Sequence, residues 1–432
     1  MGRLGSGVAC MAGMALVCGL VLTGCSEDEA TPLSSSSQSS LLSSLGSSTS
    51  SVSGISSSSL DALSSSSSNT LSSSAAASSL SVTASSVQSS SLAVVSSTSS
   101  LASASVFTIP RGIKNASLLC KDGKAWVAWQ STNDNGFYLA EYNPVGPNWS
   151  DAGGKIADGS PMGWVAPSLV LNAAGTLLVG VPVYVDGSTI NNKVWTWNGS
   201  VFSQLGLSLN TGISYHVQLE NRTNGIFAIW NEVGNGMKVS LSLYNQGTAS
   251  WQSVGTPLFS AGGAYTPSLA FDSSNKPWVA FQDYTLAPSY DATMMAYDGT
   301  WGIVGGAAVN GGTVQANDTS LAFDGAGVPY LAYKNWTTFQ PEIKKRVGET
   351  WTSVTIPDGA SDSPQIKSFG GTIYLLAGHF DGISVWRRDG SAWVRVALTH
   401  TYAVRYTFSV DPEGSVWLLY SDSSGVWYIR KS

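Results

Sequence analysis

Short apolar runs recur along the chain from about residue 105 to the C-terminus. The clearest copies read SLAFD at 320–324 followed by YLAY at 330–333, and PSLAFD at 267–272 followed by WVAF at 278–281. The second run of each copy begins at seven positions that lie 43 to 52 residues apart: Trp126, Leu178, Phe227, Trp278, Tyr330, Tyr374 and Trp417. Seven copies of one long unit indicate a repeat architecture.

Each copy continues with a third short run and then a glycine turn before an aromatic residue. Asp-Gly precedes Trp301 and Trp393, and Asn-Gly precedes Phe202. These dipeptides between short apolar runs are the strongest hairpin signals. Each repeat therefore predicts four antiparallel strands, which at this period form a β-propeller blade. No helical periodicity of useful length competes with this interpretation.

The two ends of the repeat region predict how the ring closes. The last repeat stops after its third strand, and the region begins with an additional strand at 105–109. Phe107 in that strand takes the place of the aromatic that other repeats carry in their fourth strand: Trp149, Trp251, Trp301, Trp351 and Trp393. We therefore expect an all-β, seven-bladed propeller over residues 106–432, closed by the N-terminal strand and monomeric.

The N-terminus has the features of a bacterial export signal. Arg3 precedes an apolar stretch of about 15 residues, which suits a signal peptide better than a membrane span. The stretch ends in LTGC at 22–25 and resembles the bacterial lipobox. The resemblance implies a signal peptide at 1–24 and a lipid anchor on Cys25. Ser26 in place of Asp favours an outer-membrane lipoprotein, with the domain on either the periplasmic or the surface face.

Residues 25–105 are mostly serine and lack the apolar mass to fold, so we expect a disordered tether. As a flexible coil it would reach about 50 Å. It resembles the polyserine linkers of secreted proteins from bacteria that degrade plant polysaccharides, and it is either a plain spacer or a glycosylated stalk. The net charge of −6 comes without a basic stripe, which argues against a nucleic-acid partner.

Strand connections of two kinds alternate around a propeller. The short turns carry an Asx residue at one equivalent position, which we interpret as a turn cap: Asn172, Asn221, Asp272, Asp324 and Asp411. The opposite face carries long, varied loops with aromatic and polar side chains suited to stack on sugars and bond hydroxyls. The candidate ligand-binding residues there are Tyr184, Asp186, Trp230, Glu232, Asp283, Tyr284, Lys334, Trp336, His379, Asp381 and Tyr402.

Catalytic patterns are weaker. The three histidines lie on different repeats, so neither a metal site nor a cofactor is expected. Asp318 and Asp362 precede the first strands of two repeats, where propeller glycosidases place their acids. These two residues either form a carboxylate pair or cap a turn. Cys120 sits in an apolar run and is interpreted as a small buried side chain.

The SLAxD…VAY/F core and the DGxW turn resemble the repeats of exported bacterial propellers of the broad sialidase-like and kelch-like kind. That resemblance implies the fold and leaves the activity open. Three hypotheses follow: a non-enzymatic envelope module that binds a polysaccharide or an envelope protein, a glycan-cleaving enzyme that uses Asp318 or Asp362, and a periplasmic assembly scaffold.

Overall fold

A computed structural model describes residues 105–106, 112–143, 148–161, 166–187, 189–286, 290–309, 311–312, 314–357, 359–379, 382–399 and 403–432. The predicted signal peptide, Cys25, most of the serine tether and Phe107 lie outside these ranges. The described residues form seven blades of antiparallel strands arranged in a ring. The all-β, seven-bladed prediction is confirmed.

The strands, numbered along the chain, fall into the blades as follows. Strand β1 (Ser105–Val106) belongs to blade 7. Blade 1 contains β2 (Ile113–Lys121), β3 (Lys124–Ser131), β4 (Gly136–Asn143) and β5 (Asn148–Asp151), with β6 (Ala157–Asp158) paired to β4. Blade 2 contains β7 (Ser168–Leu171), β8 (Leu177–Asp186), β9 (Thr189–Trp197) and β10 (Phe202–Gln204). Blade 3 contains β11 (Val217–Arg222), β12 (Gly225–Glu232), β13 (Lys238–Asn245) and β14 (Ser250–Ser253).

Blade 4 contains β15 (Ala264–Phe271), β16 (Pro277–Asp283), β17 (Ala292–Tyr297) and β18 (Trp301–Ile303). Blade 5 contains β19 (Ala316–Phe323), β20 (Pro329–Asn335), β21 (Gln340–Val347) and β22 (Thr350–Val354). Blade 6 contains β23 (Ser361–Phe369), β24 (Thr372–His379), β25 (Gly382–Asp389) and β26 (Ala392–Thr399). Blade 7 contains β27 (Arg405–Val410), β28 (Val416–Ser421) and β29 (Trp427–Lys431). Short 3₁₀ turns, Val233–Asn235 and Tyr284–Leu286, follow β12 and β16.

The ring closes through the N-terminal strand, as the chain ends predict. Ser105 pairs with Ile429 and Val106 pairs with Tyr428, so β1 forms the fourth strand of blade 7. This pairing covers the outer edge of β29, which would otherwise offer free backbone groups to another chain.

The apolar core consists of layers between neighbouring blades. In the described part of the chain, seven clusters of buried side chains each join two adjacent blades. The alternation of strand side chains sends one set to each neighbour. In the layer between blades 1 and 7, Trp129 is fully buried and Trp417 nearly so. Each such side chain contributes roughly 1.5–3 kcal/mol by its burial.

The first strand of each blade lines the centre of the ring and is tied to the next blade by side-chain hydrogen bonds to its backbone. Ser320 Oγ, for example, donates to Ile366 O at 3.0 Å and accepts from Ile366 N at 2.9 Å. Comparable bonds cross all seven junctions, from Ser117, Ser168, Gln218, Ser268, Ser320, Gln365 and Ser409. The recurrent serine of the repeat is therefore an inter-blade tie.

In blades 3, 4 and 6 the recurrent tryptophan of the fourth strand, Trp251, Trp301 or Trp393, ties the outer edge to the preceding blade. The indole N–H of Trp251 donates to Leu205 O at 3.1 Å, and that of Trp301 donates to Val254 O at 2.9 Å. Each acceptor belongs to the link that leaves the preceding blade. Gly255 follows there at φ 72°, and a Cβ at that position would meet the Trp301 ring at 3.0 Å. The glycine thus permits both the turn and the close packing.

Candidate functional site

The ring has two different faces. The short-turn face carries the connections between first and second strands and between third and fourth strands. The long-loop face carries the connections between second and third strands and the links between blades. The mouth of the central channel on the long-loop face is therefore surrounded by the starts of the first strands.

The Asx residues of the short-turn face are structural, as their position predicts. Asp272 Oδ1 accepts from Ser274 N and Lys276 N, and its Oδ2 accepts from the Trp278 indole at 3.1 Å. Similar bonds to backbone N–H groups hold the turns of three further blades, at Asn172, Asp324 and Asp411. The expectation for Asn221 is wrong. It lies inside β11 and pairs with Ile226, because blade 3 turns over only two residues, 223–224.

A groove of about 310 Å³ opens on the short-turn face between blades 4 and 5. Trp278 and Phe323 line it, with ring centroids 5.4 Å apart, and the Arg346 guanidinium lies 6.0 Å from the Trp278 ring. Arg346 also forms an ion pair with Glu349. These contacts join the two blades.

Two carboxylates meet at the channel mouth between blades 5 and 6. Ser363 Oγ donates to Asp318 Oδ2 at 2.6 Å and lies 3.3 Å from Asp362 Oδ1. The two carboxylate oxygens are consequently at most about 6 Å apart. Lys334 Nζ forms an ion pair with Asp362 at 2.5 Å, which offsets part of the negative charge. The predicted pair is therefore brought together, with Ser363 as a bridge that sequence reasoning missed.

Irregular backbone at the strand starts places these carboxylates. The pairing of β19 with β20 shifts register between Asn317 and Ser320, and that of β23 with β24 shifts between Ser361 and Gln365. Within these bulges Asp318 has φ 53° and Asp362 has φ 61°. Asp is among the residues that tolerate this left-handed region, and bulges commonly redirect side chains next to functional sites.

Lys334 also joins the carboxylates to an aromatic pair. Its ammonium lies 5.3 Å from the ring of Trp336 and 5.4 Å from the ring of Phe339, which are themselves 5.3 Å apart. Asn335 Oδ1 accepts from Thr337 N and Thr338 N and holds this hairpin. Phe339 is 48% exposed. Phe339 was not among the residues predicted from the sequence, although it is an aromatic residue in a connection between second and third strands, like several of the predicted candidates.

The neighbouring blade carries a stack of tyrosines. Tyr265 and Tyr284 stack with centroids 4.2 Å apart, and Tyr284 lies 4.6 Å from Tyr290. Tyr284 is 39% exposed. Asp283 beside it is buried and accepts from Thr285 and Thr293, so it supports the turn rather than facing solvent. Of these residues, Asp283 and Tyr284 were predicted from the sequence as ligand-binding candidates.

Asp291, at the end of the same connection, is an acid with a shifted pKa. It is fully buried and accepts from Ala292 N at 2.6 Å and Gly312 N at 2.8 Å. Burial raises the pKa of Asp291 to about 6, against the opposing effect of these two hydrogen bonds. Its bonds hold the loop ends together, which is a structural role.

The other predicted residues are spread over further blades. Trp230 is buried, and its indole donates to Glu232 Oε1 at 2.9 Å, while Asn235 donates to Glu232 Oε2. In blade 2, Tyr184 and Asp186 lie at the exposed end of the β8–β9 hairpin. His379 ends β24 in blade 6 and is half-buried. Asp381 and Tyr402 lie outside the described residues.

Ionisable groups also line the channel. Enclosure lowers the pKa of Lys367 to about 8 and raises the pKa of Glu220, which faces it from blade 3. Lys367 donates to Phe408 O at 2.7 Å. Burial lowers the pKa of His216 to about 4, although a hydrogen bond with Pro267 opposes the shift. His216 is therefore neutral at pH 7. Burial likewise raises the pKa of the Cys120 thiol well above its usual value.

Two kinds of feature are absent from the parts of the chain that the structure describes. In those parts, no group of three His, Cys, Asp or Glu side chains is arranged to hold a metal ion. Within the same ranges, no helix has the length and apolarity needed to cross a membrane.

Comparison with known proteins shows similarity in fold. No protein-family model and no curated protein matches the chain. The polysaccharide lyase Uly1 is similar with a TM-score of 0.54 and 11% identity, covering 74% of this chain and 90% of the lyase. The β-propeller domain of the Trilobed protease from Pyrococcus furiosus has a TM-score of 0.50 and 10% identity, covering 73% and 94%. The chain is thus a β-propeller protein, and identities this low carry the likeness no further than the fold.

Proposed function

We propose that this protein is a non-enzymatic carbohydrate-binding module that holds a glycan on its long-loop face, at the mouth of the channel over blades 4 to 6. The observation that carries the proposal is the continuous contact chain Asp318–Ser363–Asp362–Lys334–Trp336. It joins groups that bond hydroxyls to an aromatic surface on one face of a rigid ring.

The chemistry of these groups suits a sugar. Carboxylates accept hydrogen bonds from hydroxyl groups, and charge-assisted bonds of this kind are the strong ones. A lysine ammonium donates to hydroxyl and ring oxygens. Trp336 and Tyr284 offer apolar ring faces with a polar atom at the edge, which matches the alternating apolar and polar surface of a sugar ring.

A polysaccharide panel tests the proposal. The purified protein should retain at least one polysaccharide in affinity electrophoresis, and Trp336→Ala should weaken that binding by about tenfold, the loss of a stacked ring. Asp318→Asn should weaken it as well. Asp298→Asn is the matched control, because Asp298 is 84% exposed on the short-turn face and pairs with Lys276. A broad panel without any bound polysaccharide would refute the glycan proposal.

One observation favours a second candidate, a glycan-cleaving enzyme. A separation of at most about 6 Å between Asp318 and Asp362 approaches the ~5–5.5 Å of retaining glycosidases. Lys334 argues against it, because its ammonium already pairs with Asp362 and so occupies a carboxylate that the reaction would need. Release of reducing ends from a bound polysaccharide, abolished in Asp318→Asn, would establish the enzyme instead.

We further propose that the protein is an outer-membrane lipoprotein anchored through Cys25, with the serine tether carrying the propeller away from the bilayer. The support is the sequence LTGC at the end of an apolar stretch. Cells fed a labelled fatty acid should label the protein, and Cys25→Ala should abolish the label. Labelling that persists in Cys25→Ala would contradict the proposed anchor.

A further inference from the structure

Connections between second and third strands on the long-loop face share a backbone feature. Where a connection ends, one residue lies in the left-handed region of φ. Among the described residues it occurs in five blades, at Asn135 (φ 58°), Met237 (φ 63°), Tyr290 (φ 47°), Phe339 (φ 57°) and Gly425 (φ 82°). We call these residues the corner residues. The corner therefore belongs to the blade architecture and not to a single loop.

The backbone of the corner residues has a structural role. In blades 1, 3 and 4 the corner carbonyl accepts a hydrogen bond from the start of the next blade or the link to it: Asn135 O from Gly159 N, Met237 O from Ala264 N and Tyr290 O from Ala316 N, each at 3.0–3.1 Å. Any residue could supply this carbonyl. Gly and Asn supply it with the least steric strain, and blades 1 and 7 use those two residues. The large side chains of blades 3 to 5 are therefore not explained by the backbone.

Two of those side chains, Tyr290 and Phe339, contribute to two aromatic platforms. The tyrosine platform comprises Tyr265, Tyr284 and Tyr290, and the tryptophan platform comprises Trp336 and Phe339. The two platforms adjoin one short link, because Ala316 N donates to Tyr290 O and Trp336 N donates to the adjacent Gln315 O. The tyrosine platform belongs to blade 4 and the tryptophan platform to blade 5, so a ligand that contacts both must span the link between these blades.

We infer that the glycan bound by this face is an internal stretch of an extended polysaccharide chain, laid across blades 4 and 5 on both platforms, and not a single terminal sugar. This inference rests on the proposed function and specifies its ligand. A left-handed corner that displays a large ring to solvent, as Phe339 does, carries a conformational cost that persists where function requires it. Asp318, Asp362 and Lys334 flank the tryptophan platform with hydroxyl-binding groups, which favours a polysaccharide over an apolar protein partner.

An oligosaccharide length series tests the inference. For the polysaccharide selected by the panel, affinity should rise with oligomer length until both platforms are covered and then level off. Phe339→Gly and Tyr290→Asn should each weaken binding of the long oligomers by about tenfold. The shortest oligomer that binds should respond to only one of the two substitutions. Asn135→Gly, the same corner in blade 1, is the matched control and should leave affinity unchanged.

A stability measurement separates ligand binding from a structural role. Phe339→Gly removes packing on Trp336 and also removes the left-handed strain of a bulky residue, so the two effects oppose each other. The thermal midpoint should stay close to that of the unchanged protein while long-oligomer affinity falls. A large fall in the midpoint would make Phe339 a structural residue and overturn the inference.

The remaining outcomes are distinguishable. Affinity that does not depend on oligomer length, with Trp336→Ala still effective, would overturn the extended-chain inference and leave the proposed function standing. Absence of any bound glycan would overturn the proposed function, and the inference with it. Capture of an envelope protein that Phe339→Gly abolishes, without glycan binding, would replace both with a protein interface.

Discussion

Replacing Ser320 with alanine tests the side-chain hydrogen bonds that tie the first strands of neighbouring blades together. The substitution keeps the Cβ, so it opens little space in the core. It removes the hydroxyl that both donates to Ile366 O and accepts from Ile366 N. Ile366 is 1% exposed, which leaves its backbone little access to replacement water.

The expected cost follows from these two bonds. A net hydrogen bond contributes about 1 kcal/mol, and a buried N–H left without an acceptor costs about 1–3 kcal/mol. We therefore expect Ser320→Ala to lower the free energy of unfolding by about 2 kcal/mol. For a domain of this size that corresponds to a thermal midpoint lower by about 3 °C.

Equilibrium unfolding in urea, followed by tryptophan fluorescence, measures this difference. Ser353→Ala is the matched control, because Ser353 is exposed on the outer strand β22 and its hydroxyl accepts a hydrogen bond from Lys344 on β21. The control should change stability by less than about 0.5 kcal/mol. A Ser320→Ala variant as stable as the control would refute the role assigned to the ties.

Three further predictions follow from buried groups and from the polar contacts. Because the pKa of Asp291 is raised to about 6 in the folded protein, the folded state binds its proton more tightly than the unfolded state does. Stability should therefore fall as pH rises from about 4 to 6, and Asp291→Asn should flatten that decline in urea titrations at several pH values. Cys120 is buried with a raised pKa, so a maleimide should label it only after unfolding, as mass spectrometry would show. Lys334→Met removes the ammonium that contacts Asp362, Trp336 and Phe339 and should weaken glycan binding by about tenfold in affinity electrophoresis, with less effect in Lys276→Met.

The fold was predictable because its signals are local and repeated. Period-two apolar runs, Asp-Gly turns and a three-strand last repeat each specify strands or hairpins without knowledge of distant contacts. The serine that recurs in most first strands and the tryptophan of the fourth strand had no assigned role at that level. Their hydrogen bonds join blades about 40 to 50 residues apart, which spacing alone does not reveal.

The site was predictable only in part. Asp318 and Asp362 were chosen together from their place before a first strand, but the bulges that bring them to one serine leave no sequence mark. Trp230 and Asp283 were predicted as ligand-binding residues because each lies where a loop begins. Both side chains are buried instead, because side chains alternate between the two faces of a strand. Phe339 was not predicted, although it is an aromatic in a connection between second and third strands; its left-handed backbone carries neither the Gly nor the Asn that would mark such a corner in the sequence.

Hydrogen exchange with and without the selected polysaccharide tests the location of the binding face most directly. The account predicts slower exchange of backbone amides at 336–339 and 361–363 on the long-loop face, with no change at 272–276 and 324–328 on the short-turn face. Protection confined to the short-turn face, or none at saturating polysaccharide, would contradict it.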